Sequence, residues 1–440
     1  MENNSKPIEC YFALGGMNYK NGFITSCPQQ HEKMVEMSTT MKPSEIFNSE
    51  LFKTHRLEMM SGKWSRGCDL CKDPEKIGSH SMRQDYTPIL DYYDKTTGAV
   101  DFKGLRHVEL RFSNSCNMAC KHCSVVYSSG WVSKLKNYTP DAEVEKHELS
   151  QLLKMEHRDN EWDEGELGLT IAQVEGIVND LIENFPELEK VEFAGGEVLY
   201  QKQFFPCLRM LAKHPNIKNL SIGFHTNFNA RFDPVELSNL LKPFRHSIIH
   251  MSLDAGTNIY PYFRTGDWQT LKDNIKTFRA INRHTFLSIV CTTSAYQLLD
   301  LENIYESFLS LDVDTISLGM VYTPKYLNPA VMCIEFREHV IEDINATRAL
   351  ILREQQRRID NFEESRKLRA WKPKLNRFND IHMALRTLNE IEIYVLNHKT
   401  TSNYWEDFLV YIRKTDEIWK HNFNDYMKKY KFENNRIRRA

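Results

Sequence analysis

Three cysteines stand close together in the segment NSCNMACKHCSVVY, where Cys116, Cys120 and Cys123 form a C-x-x-x-C-x-x-C array. This spacing lets a single loop wrap one inorganic cluster. Because a four-iron cluster is ordinarily held by four protein thiolates, three thiolates leave one iron open to an outside ligand. A set of four cysteines indicates electron storage, whereas a set of three indicates chemistry at the fourth iron.

Two other interpretations fit three cysteines taken alone. The cysteines could form a zinc site, or they could be buried thiols that only pack in the core. Zinc usually recruits a fourth cysteine or histidine, and His122 lies inside the array. The spacing therefore favours a metal centre without deciding which metal.

A glycine pair and a carboxylate follow a short apolar run in the segment FAGGEVLY. Gly195 and Gly196 have no side chain, so the backbone there can approach a ligand closely. Glu197 supplies a carboxylate beside them. The alternative is a plain turn that closes a strand.

Polar side chains also follow two further apolar runs. The segment HTNF presents Thr226 and Asn227, and HMSLDAG presents Ser252 and Asp254. Hydroxyls and carboxylates at neighbouring strand ends suit the hydroxyl and charged groups of a small ligand, although Ser252 or Asp254 could instead cap the next helix. Arg264 is a candidate for an anionic ligand group, with a surface ion pair as the alternative.

The N-terminal hundred residues hold a second set of cysteines: Cys10, Cys27, Cys68 and Cys71. Four cysteines complete a metal site without outside help, and the C-x-x-C pair puts two thiolates on one turn. Zinc competes with an iron–sulfur cluster for this set. A further alternative leaves Cys10 and Cys27 as buried structural residues.

The cysteine array and the strand-end motifs resemble the radical S-adenosylmethionine (SAM) superfamily. The resemblance implies a [4Fe-4S] cluster on Cys116, Cys120 and Cys123, with SAM on the open iron. It also implies that His122 lies near the adenine and that Gly195–Glu197 bind the methionine amino group. Thr226, Asn227, Ser252 and Asp254 are expected to line the rest of the SAM site. The sequence departs from the usual family pattern at Val198, Phe228 and Ala255, where proline, glycine and glycine are common.

The N-terminal cysteines and their surroundings resemble a SPASM or twitch auxiliary-cluster module. In the usual arrangement this module follows the barrel, whereas here it precedes it, as in a group of twitch-type radical SAM proteins common in phage genomes. The resemblance implies an auxiliary [4Fe-4S] cluster bound by Cys10, Cys27, Cys68 and Cys71. The sequence departs from the usual module in one respect: the doublet that normally follows the second cysteine is missing, because Pro28 follows Cys27.

Apolar runs alternate with amphipathic helical patterns downstream of residue 100. Alternating strands and helices with near-continuous apolar strands predict parallel βα units. Six units fit a partial (β/α)6 barrel, with chemistry at the carboxyl ends of its strands. The six predicted strands are Leu105–Phe112, Val191–Phe193, Leu220–His225, Ser247–Leu253, Thr285–Cys291 and Thr315–Val321.

The predicted α/β fold therefore has three parts. Residues 1–100 form the auxiliary-cluster module, 101–325 the barrel with a polar insert at about 130–168, and 326–440 a helical C-terminal extension. We interpret the insert as a solvated helical excursion or as a flap beside the substrate. The C-terminal helices are predicted at Cys333–Glu364, Asn379–Asn397 and Tyr404–Tyr430, followed by a frayed basic tail.

Composition bounds the partners. The 440-residue chain has a net charge of −2 and no apolar run of membrane-spanning length, so a membrane or nucleic-acid partner is disfavoured. The cysteines follow metal-type spacings and the sequence opens without a secretory signal, which argues against disulfides and for a reducing cytoplasm, in the host cell if the chain is phage-encoded.

The resemblance implies an enzyme that reductively cleaves SAM to a 5′-deoxyadenosyl radical, which abstracts hydrogen from a substrate. A peptide or protein is the preferred substrate, and a small sugar, alcohol or nucleotide is the alternative. A low-potential donor such as flavodoxin or ferredoxin would supply the electron. Two other classes compete: an iron–sulfur electron-transfer protein that never cleaves SAM, and a zinc-stabilised binding module.

Overall fold

The computed structural model describes residues 6–20, 22–30, 32, 34–37, 42–76, 78, 81–147, 168–322, 324–367, 379–397 and 402–440. The chain divides into two compact units. Unit 1 comprises Met1–Ser115, Asn160–His225 and Arg231–Ile248, and unit 2 comprises Cys116–Asp159, Thr226–Ala230 and Ile249–Ala440. The three-part division at residues 100 and 325 stays a prediction.

The strands in chain order are β1 (Gly16–Lys20), β2 (Phe23–Thr25), β3 (Val35–Glu36), β4 (His107–Arg111), β5 (Lys190–Ala194), β6 (Ser221–Thr226), β7 (His246–Ser252), β8 (Phe286–Thr293), β9 (Thr315–Met320), β10 (Tyr430–Glu433) and β11 (Arg436–Arg439). The helices are α1 (Tyr11–Gly15), α2 (Pro43–Ile46), α3 (Glu50–Met60), α4 (Asp69–Lys76), α5 (Ser129–Leu135), α6 (Ala142–Lys146), α7 (Ile171–Asn184), α8 (Phe204–Leu211), α9 (Pro234–Leu241), α10 (Tyr260–Arg264), α11 (Trp268–Ile281), α12 (Ala295–Leu298), α13 (Leu301–Leu309), α14 (Ile334–Lys367), α15 (Asn379–Asn397), α16 (Ser402–Trp419) and α17 (Phe423–Tyr426). None of these helices is long and apolar enough, over the residues described, to cross a bilayer.

Unit 1 is built on a sheet whose strands follow the order β3-β2-β1-β4-β5-β6. Strands β1, β4, β5 and β6 are parallel, and β2 and β3 extend the edge in antiparallel fashion. Side chains alternate between the two faces of a strand. On one face Leu110 and Phe193 are fully buried, and the Phe193 ring lies 5.2 Å from that of Phe204 on α8. The other face carries the polar Glu109 and Arg111, joined by a 2.7 Å hydrogen bond.

Unit 2 holds the end of β7 together with β8 and β9, which lie side by side in that order. Strands β8 and β9 pair in parallel, with Ser288 opposite Thr315. The C-terminal helices belong to the same unit, and the Thr387 hydroxyl on α15 donates a 3.0 Å hydrogen bond to the Leu318 carbonyl on β9. The helical extension therefore packs against the strands of its unit instead of forming a detached bundle.

The predicted α/β class is confirmed, since all six predicted strands are present as β4 to β9 within one or two residues of their expected bounds. Two C-terminal predictions were wrong. The predicted helix over Tyr404–Tyr430 ends at Trp419, where Lys420 takes a left-handed backbone with φ 56°. The basic tail is not frayed but forms β11, which pairs with β10 through a tight turn at Asn434 and Asn435. Asparagine tolerates the positive φ that such a hairpin turn requires.

Candidate active site

The cysteine loop, Cys116–Cys123, lies in unit 2 as irregular backbone between β4 and α5 in the chain. Cys120 is buried, while Cys116 and Cys123 are half-buried. Burial raises the pKa of the Cys123 thiol, and the neighbouring Cys120 and Cys116 thiolates raise it further. The three thiols are thus close enough to oppose one another's ionisation, a cost that a cationic metal centre would remove.

Four consecutive carbonyls of the cysteine loop accept hydrogen bonds from buried side chains of the same unit. We call these donors, Ser128, Trp131, Tyr411 and Trp419, the carbonyl clasp. The pairs are Ser128 Oγ to Met118 O (2.5 Å), Trp131 Nε1 to Cys120 O (2.8 Å), Trp419 Nε1 to Ala119 O (2.9 Å) and Tyr411 Oη to Lys121 O. The clasp therefore fixes the direction of four successive carbonyls in the backbone that carries the cysteines.

Lys121 connects the cysteine loop to α16 through its side chain. The side chain is fully buried, and its Nζ donates to Asp416 Oδ1 at 2.5 Å and to Thr415 Oγ1 at 3.2 Å. The ammonium also lies 3.8 Å from the centre of the Tyr262 ring. A buried charge persists only when it is paired and hydrogen-bonded, and Lys121 meets this condition through α16.

The predicted ligand residue Asp254 is occupied by protein contacts. Its carboxylate accepts 2.6 Å and 2.7 Å hydrogen bonds from Arg264 Nη1 and from the Thr292 backbone N–H. His122 Nε2 lies 3.4 Å from the same carboxylate, and the His122 ring stacks on Phe263 at 4.9 Å. Asp254 therefore holds Arg264 and the Thr292 backbone in place. Arg264 forms a buried ion pair, whereas the sequence analysis considered a surface ion pair.

Arg264 is also close to the cysteines. Its carbonyl lies 3.5 Å from the Cys120 Sγ. Burial alone lowers the pKa of an arginine, but the Cys120 thiolate and the Asp254 carboxylate raise that of Arg264 above its usual range. A permanent cation therefore stands beside the cysteine loop, where it stabilises negative charge.

Thr226 and Asn227 shape the turn after β6. The Thr226 hydroxyl accepts from the Phe228 N–H at 2.9 Å, and Asn227 Oδ1 accepts from the Asn229 N–H at 2.8 Å. The Asn227 amide also donates to Asn117 Oδ1 of the cysteine loop at 2.8 Å. Phe228 has φ 53°. Glycine adopts this left-handed backbone without strain, whereas a residue with a side chain, such as Phe228, does so at a cost.

Ser252 is the last residue of β7 and is half-buried. It lies two residues before Asp254 in unit 2. Its expected role toward SAM stays a prediction.

The Gly195–Glu197 segment lies in unit 1, at the end of β5. Gly195 has φ +105°, and the Gly196 and Glu197 N–H groups donate to Ser113 O and Ser115 O at 3.0 Å and 2.8 Å. A Cβ on Gly196 would meet the Ser115 oxygen at 2.1 Å. The glycines are therefore needed for close backbone packing within unit 1, a reason that differs from the ligand approach expected from sequence. The buried Glu197 carboxylate accepts from the Leu199 N–H at 3.0 Å.

The four N-terminal cysteines are far apart in sequence but meet in unit 1. They line one cavity, which we call the auxiliary cavity. Its other lining residues are Ala13, Ser26, Gln29, Gln30, His55, Met59, Trp64, Gly67, Leu70 and Arg83. The Gln29 side chain accepts from Cys71 Sγ at 3.6 Å, and the Gln29 N–H donates to Cys27 Sγ at 3.4 Å. The fold thus brings this predicted set together.

The chemistry of this donor set fits an iron–sulfur cluster. Burial raises the pKa of Cys68 to about 12, with Cys10 and Cys71 adding to the effect. Burial likewise raises the pKa of Cys27, where the other three thiols contribute. A four-iron cluster and a zinc ion both take four thiolate ligands, so zinc stays the alternative for this cavity.

Sequence reasoning missed the carbonyl clasp, Lys121 and His55. Trp419 was interpreted as a packing anchor, because nothing in a linear sequence connects an indole to a carbonyl three hundred residues away. The one available signal was Lys121 itself, a lysine inside the cysteine loop. The polar insert at about 130–168 was interpreted as a solvated helical excursion or as a flap beside the substrate. Its residues 148–167 lie outside the part of the chain that the structure describes.

Comparisons with known proteins concern the part of the chain that contains the cysteine loop and the polar residues at the strand ends. Residues 110–294 match the family model of the radical SAM superfamily. No curated protein sequence matches the chain. Solved structures that align with it include native anSMEcpe with bound AdoMet, at 15% identity and a TM-score of 0.37, over 58% of this chain and 62% of that one.

Two further solved structures are similar in part. One is the radical SAM methyltransferase TsrM from Kitasatospora setae with cobalamin and a [4Fe-4S] cluster bound, at 13% identity and a TM-score of 0.34, over 55% of this chain and 39% of that one. The other is SuiB from Streptococcus suis bound to S-adenosylmethionine, at 11% identity and a TM-score of 0.31, over 86% of this chain and 75% of that one. The chain thus spans about three fifths of the length of the first structure it aligns with. Residues 110–294 thus form a domain that matches the radical SAM superfamily.

Proposed function

We propose that this protein is a radical SAM enzyme that cleaves SAM reductively and abstracts a hydrogen atom from a substrate. The observation that carries the proposal is the cysteine loop, whose three thiols sit on a backbone fixed by the carbonyl clasp. When bound there, a [4Fe-4S] cluster supplies the electron that splits SAM into methionine and a 5′-deoxyadenosyl radical.

The residues of the cysteine loop have distinct roles in this proposal. Cys116, Cys120 and Cys123 would hold a [4Fe-4S] cluster and leave one iron to the amino and carboxylate groups of SAM. The clasp would hold the loop in place for such a cluster, because its donors engage four consecutive carbonyls of the loop. Arg264 supplies positive charge beside the thiolates, which lowers the cost of gathering them.

The SAM contacts divide into direct and supporting ones. His122 stacks on Phe263 and has an Nδ1 without a hydrogen-bond partner among the described residues, so its ring is available to lie near the adenine. Asp254 supports this part of the site through Arg264 and the Thr292 N–H, and it stays our candidate for a SAM contact. Gly195–Glu197 remain our candidates for the methionine amino group, and Thr226, Asn227 and Ser252 for the rest of the site.

The auxiliary cavity supports a second [4Fe-4S] cluster held by Cys10, Cys27, Cys68 and Cys71. A cluster there would accept an electron from a substrate radical, which makes the net reaction an oxidation. We propose a peptide or protein as the substrate, because the C-terminal helices add surface on which a chain would bind. A flavodoxin or ferredoxin would donate the electron that starts the reaction.

The test is anaerobic reconstitution with iron and sulfide, followed by addition of SAM and a strong reductant. We expect 5′-deoxyadenosine well above the level of a variant in which Cys116, Cys120 and Cys123 are all replaced by alanine. Replacement of Cys68 and Cys71 should leave this SAM cleavage in place and remove only auxiliary iron. A wild-type protein that holds its clusters and forms no 5′-deoxyadenosine, even with a peptide substrate pool, would support the electron-transfer alternative.

A further inference from the structure

The auxiliary cavity contains a fifth metal-ligating side chain besides its four cysteines. His55, on α3, is only 4% exposed and lines the cavity. Its Nδ1 is buried and has no hydrogen-bond partner among the residues that the structure describes. A buried polar atom without a partner costs free energy of about 1–3 kcal/mol, so a site that retains one is expected to satisfy it with something bound.

A chain of three hydrogen bonds decides which nitrogen of His55 carries the proton. The Gln30 amide N–H donates to the Arg66 carbonyl at 3.3 Å, which turns Gln30 Oε1 toward Ser26. The Ser26 hydroxyl donates its only proton to that Oε1 at 3.2 Å. Ser26 Oγ must therefore accept from His55 Nε2, which lies 3.1 Å away. In the neutral ring one nitrogen donates and the other accepts, so Nδ1 carries a lone pair.

This arrangement is the one that metal-ligating histidines use. Such histidines donate their other ring N–H to a protein oxygen, which fixes the tautomer and directs the lone pair at the metal. Here the oxygen is Ser26 Oγ, and His55 lines the same cavity as the four thiols. Ser26 directly precedes Cys27, so the same turn carries a predicted ligand and the group that orients His55.

We propose that His55 binds an iron of the auxiliary cluster through Nδ1, so that a cysteine and histidine set holds the cluster. This inference rests on the auxiliary cluster of the proposed function. The bond forms between the Nδ1 lone pair and iron, with no change of oxidation state. A four-iron cluster needs four ligands and the cavity offers five, so one of the four cysteines is released as a free thiol.

The expected consequence is a raised reduction potential. A neutral imidazole in place of a thiolate removes one negative charge from the cluster, and histidine ligation raises the potential of iron–sulfur centres for this reason. A higher potential suits a cluster that takes an electron from a substrate radical. Replacing His55 with cysteine should therefore lower the potential of the auxiliary cluster.

The experiment uses the full chain with Cys116, Cys120 and Cys123 replaced by alanine, so that the auxiliary site alone contributes iron. The reconstituted and reduced protein, made with ¹⁴N or ¹⁵N histidine, is measured by electron–nuclear double resonance. We expect a directly bound histidine nitrogen coupling that changes with the isotope and disappears in His55→Gln. His214→Gln, at another buried histidine of unit 1, should retain the coupling.

Each result decides between the proposals. A cluster that forms without any histidine coupling, and whose potential is the same in His55→Cys, overturns the inference and leaves the auxiliary cluster intact. A protein that takes up no auxiliary iron overturns both the cluster and the inference. The wild-type coupling needs no substitution at His55, so a His55→Gln protein that fails to fold still leaves the ligand assignment decided by the isotope shift. Single replacements of Cys10, Cys27, Cys68 and Cys71 should identify one cysteine whose loss leaves the iron content unchanged.

Discussion

Several residues that the sequence singles out make contacts that the sequence did not indicate. Gly196 was interpreted as a place where backbone meets ligand, whereas a side chain there would collide with the Ser115 carbonyl. Asp254 was interpreted as a ligand residue, yet its carboxylate is engaged by Arg264 and the Thr292 N–H. A motif records which residue types a site needs. It does not distinguish a group that touches the ligand from one that holds its neighbours in place.

Phe228 allows the energetic cost of a left-handed backbone to be measured at a single residue. Its left-handed backbone costs a non-glycine residue about 1–2 kcal/mol, but its fully buried ring packs beside Phe278, and losing such a ring costs about 3–5 kcal/mol. We expect both Phe228→Gly and Phe228→Ala to lower the free energy of unfolding, by about 2–4 kcal/mol for glycine. The glycine variant should be more stable than the alanine variant by about 1 kcal/mol, because only glycine removes the strain.

Chemical denaturation of the metal-free protein gives both free energies. Because both variants leave a similar cavity, the difference between their free energies of unfolding reports the cost of the left-handed backbone conformation. An alanine variant as stable as the glycine variant would show that residue 228 is not held in the left-handed region.

Among the elements, the strands of the barrel were predictable and the contributions of the C-terminal helices were not. Continuous apolar runs such as Leu220–His225 predict buried parallel strands on their own. Strand β1, by contrast, is Gly16–Lys20, and its Asn18 and Lys20 would not suggest a buried strand. Its pairing with β4 comes from tertiary contacts. The role of α16 is equally invisible in sequence, because its donors act on carbonyls of a loop that lies far away in the chain.

Helix α16 should control how well the cysteine loop holds its cluster. Trp419→Phe keeps an aromatic ring but leaves the buried Ala119 carbonyl without its donor, at a cost of about 1–3 kcal/mol. If that cost falls on the loop, the cluster should be released about tenfold faster or more, since 1.4 kcal/mol corresponds to a factor of ten. Loss of the absorbance of the cluster in the presence of a chelator measures the release.

The background for this measurement is Cys68→Ala with Cys71→Ala, so that only iron on the cysteine loop is observed. Trp405→Phe is the matched control, because Trp405 lies on the same helix and packs against Phe336 and Phe408. Lys121→Met provides an independent variant that removes the contact with Asp416. Equal release rates for Trp419→Phe, Lys121→Met and Trp405→Phe would mean that the clasp does not support the cluster.

At the scale of the whole molecule, the seven predicted metal ligands form two sets in different compact units. The spacing of Cys116, Cys120 and Cys123 was sufficient to predict the first set, because one loop carries it. The second set was expected from resemblance. Cys10 and Cys68 are separated by β1 to β3 and α3, and only the folded chain shows that they line one cavity. His55 lines the same cavity, and its position in the sequence did not indicate this.

Because each set has its own supporting contacts within its own unit, we expect the two clusters to load independently. Two [4Fe-4S] clusters hold eight irons, so replacing Cys116, Cys120 and Cys123 with alanine should remove about half of the iron, and replacing Cys68 and Cys71 should remove about the other half. Iron, sulfide and zinc are measured per chain after anaerobic reconstitution, with Cys207→Ala as a control at a fully buried cysteine outside both sets. Loss of nearly all iron in either variant would mean that one cluster is needed to assemble the other. Zinc in place of iron after the first replacement would identify the auxiliary cavity as a structural zinc site, and its proposed part in substrate oxidation would then be wrong.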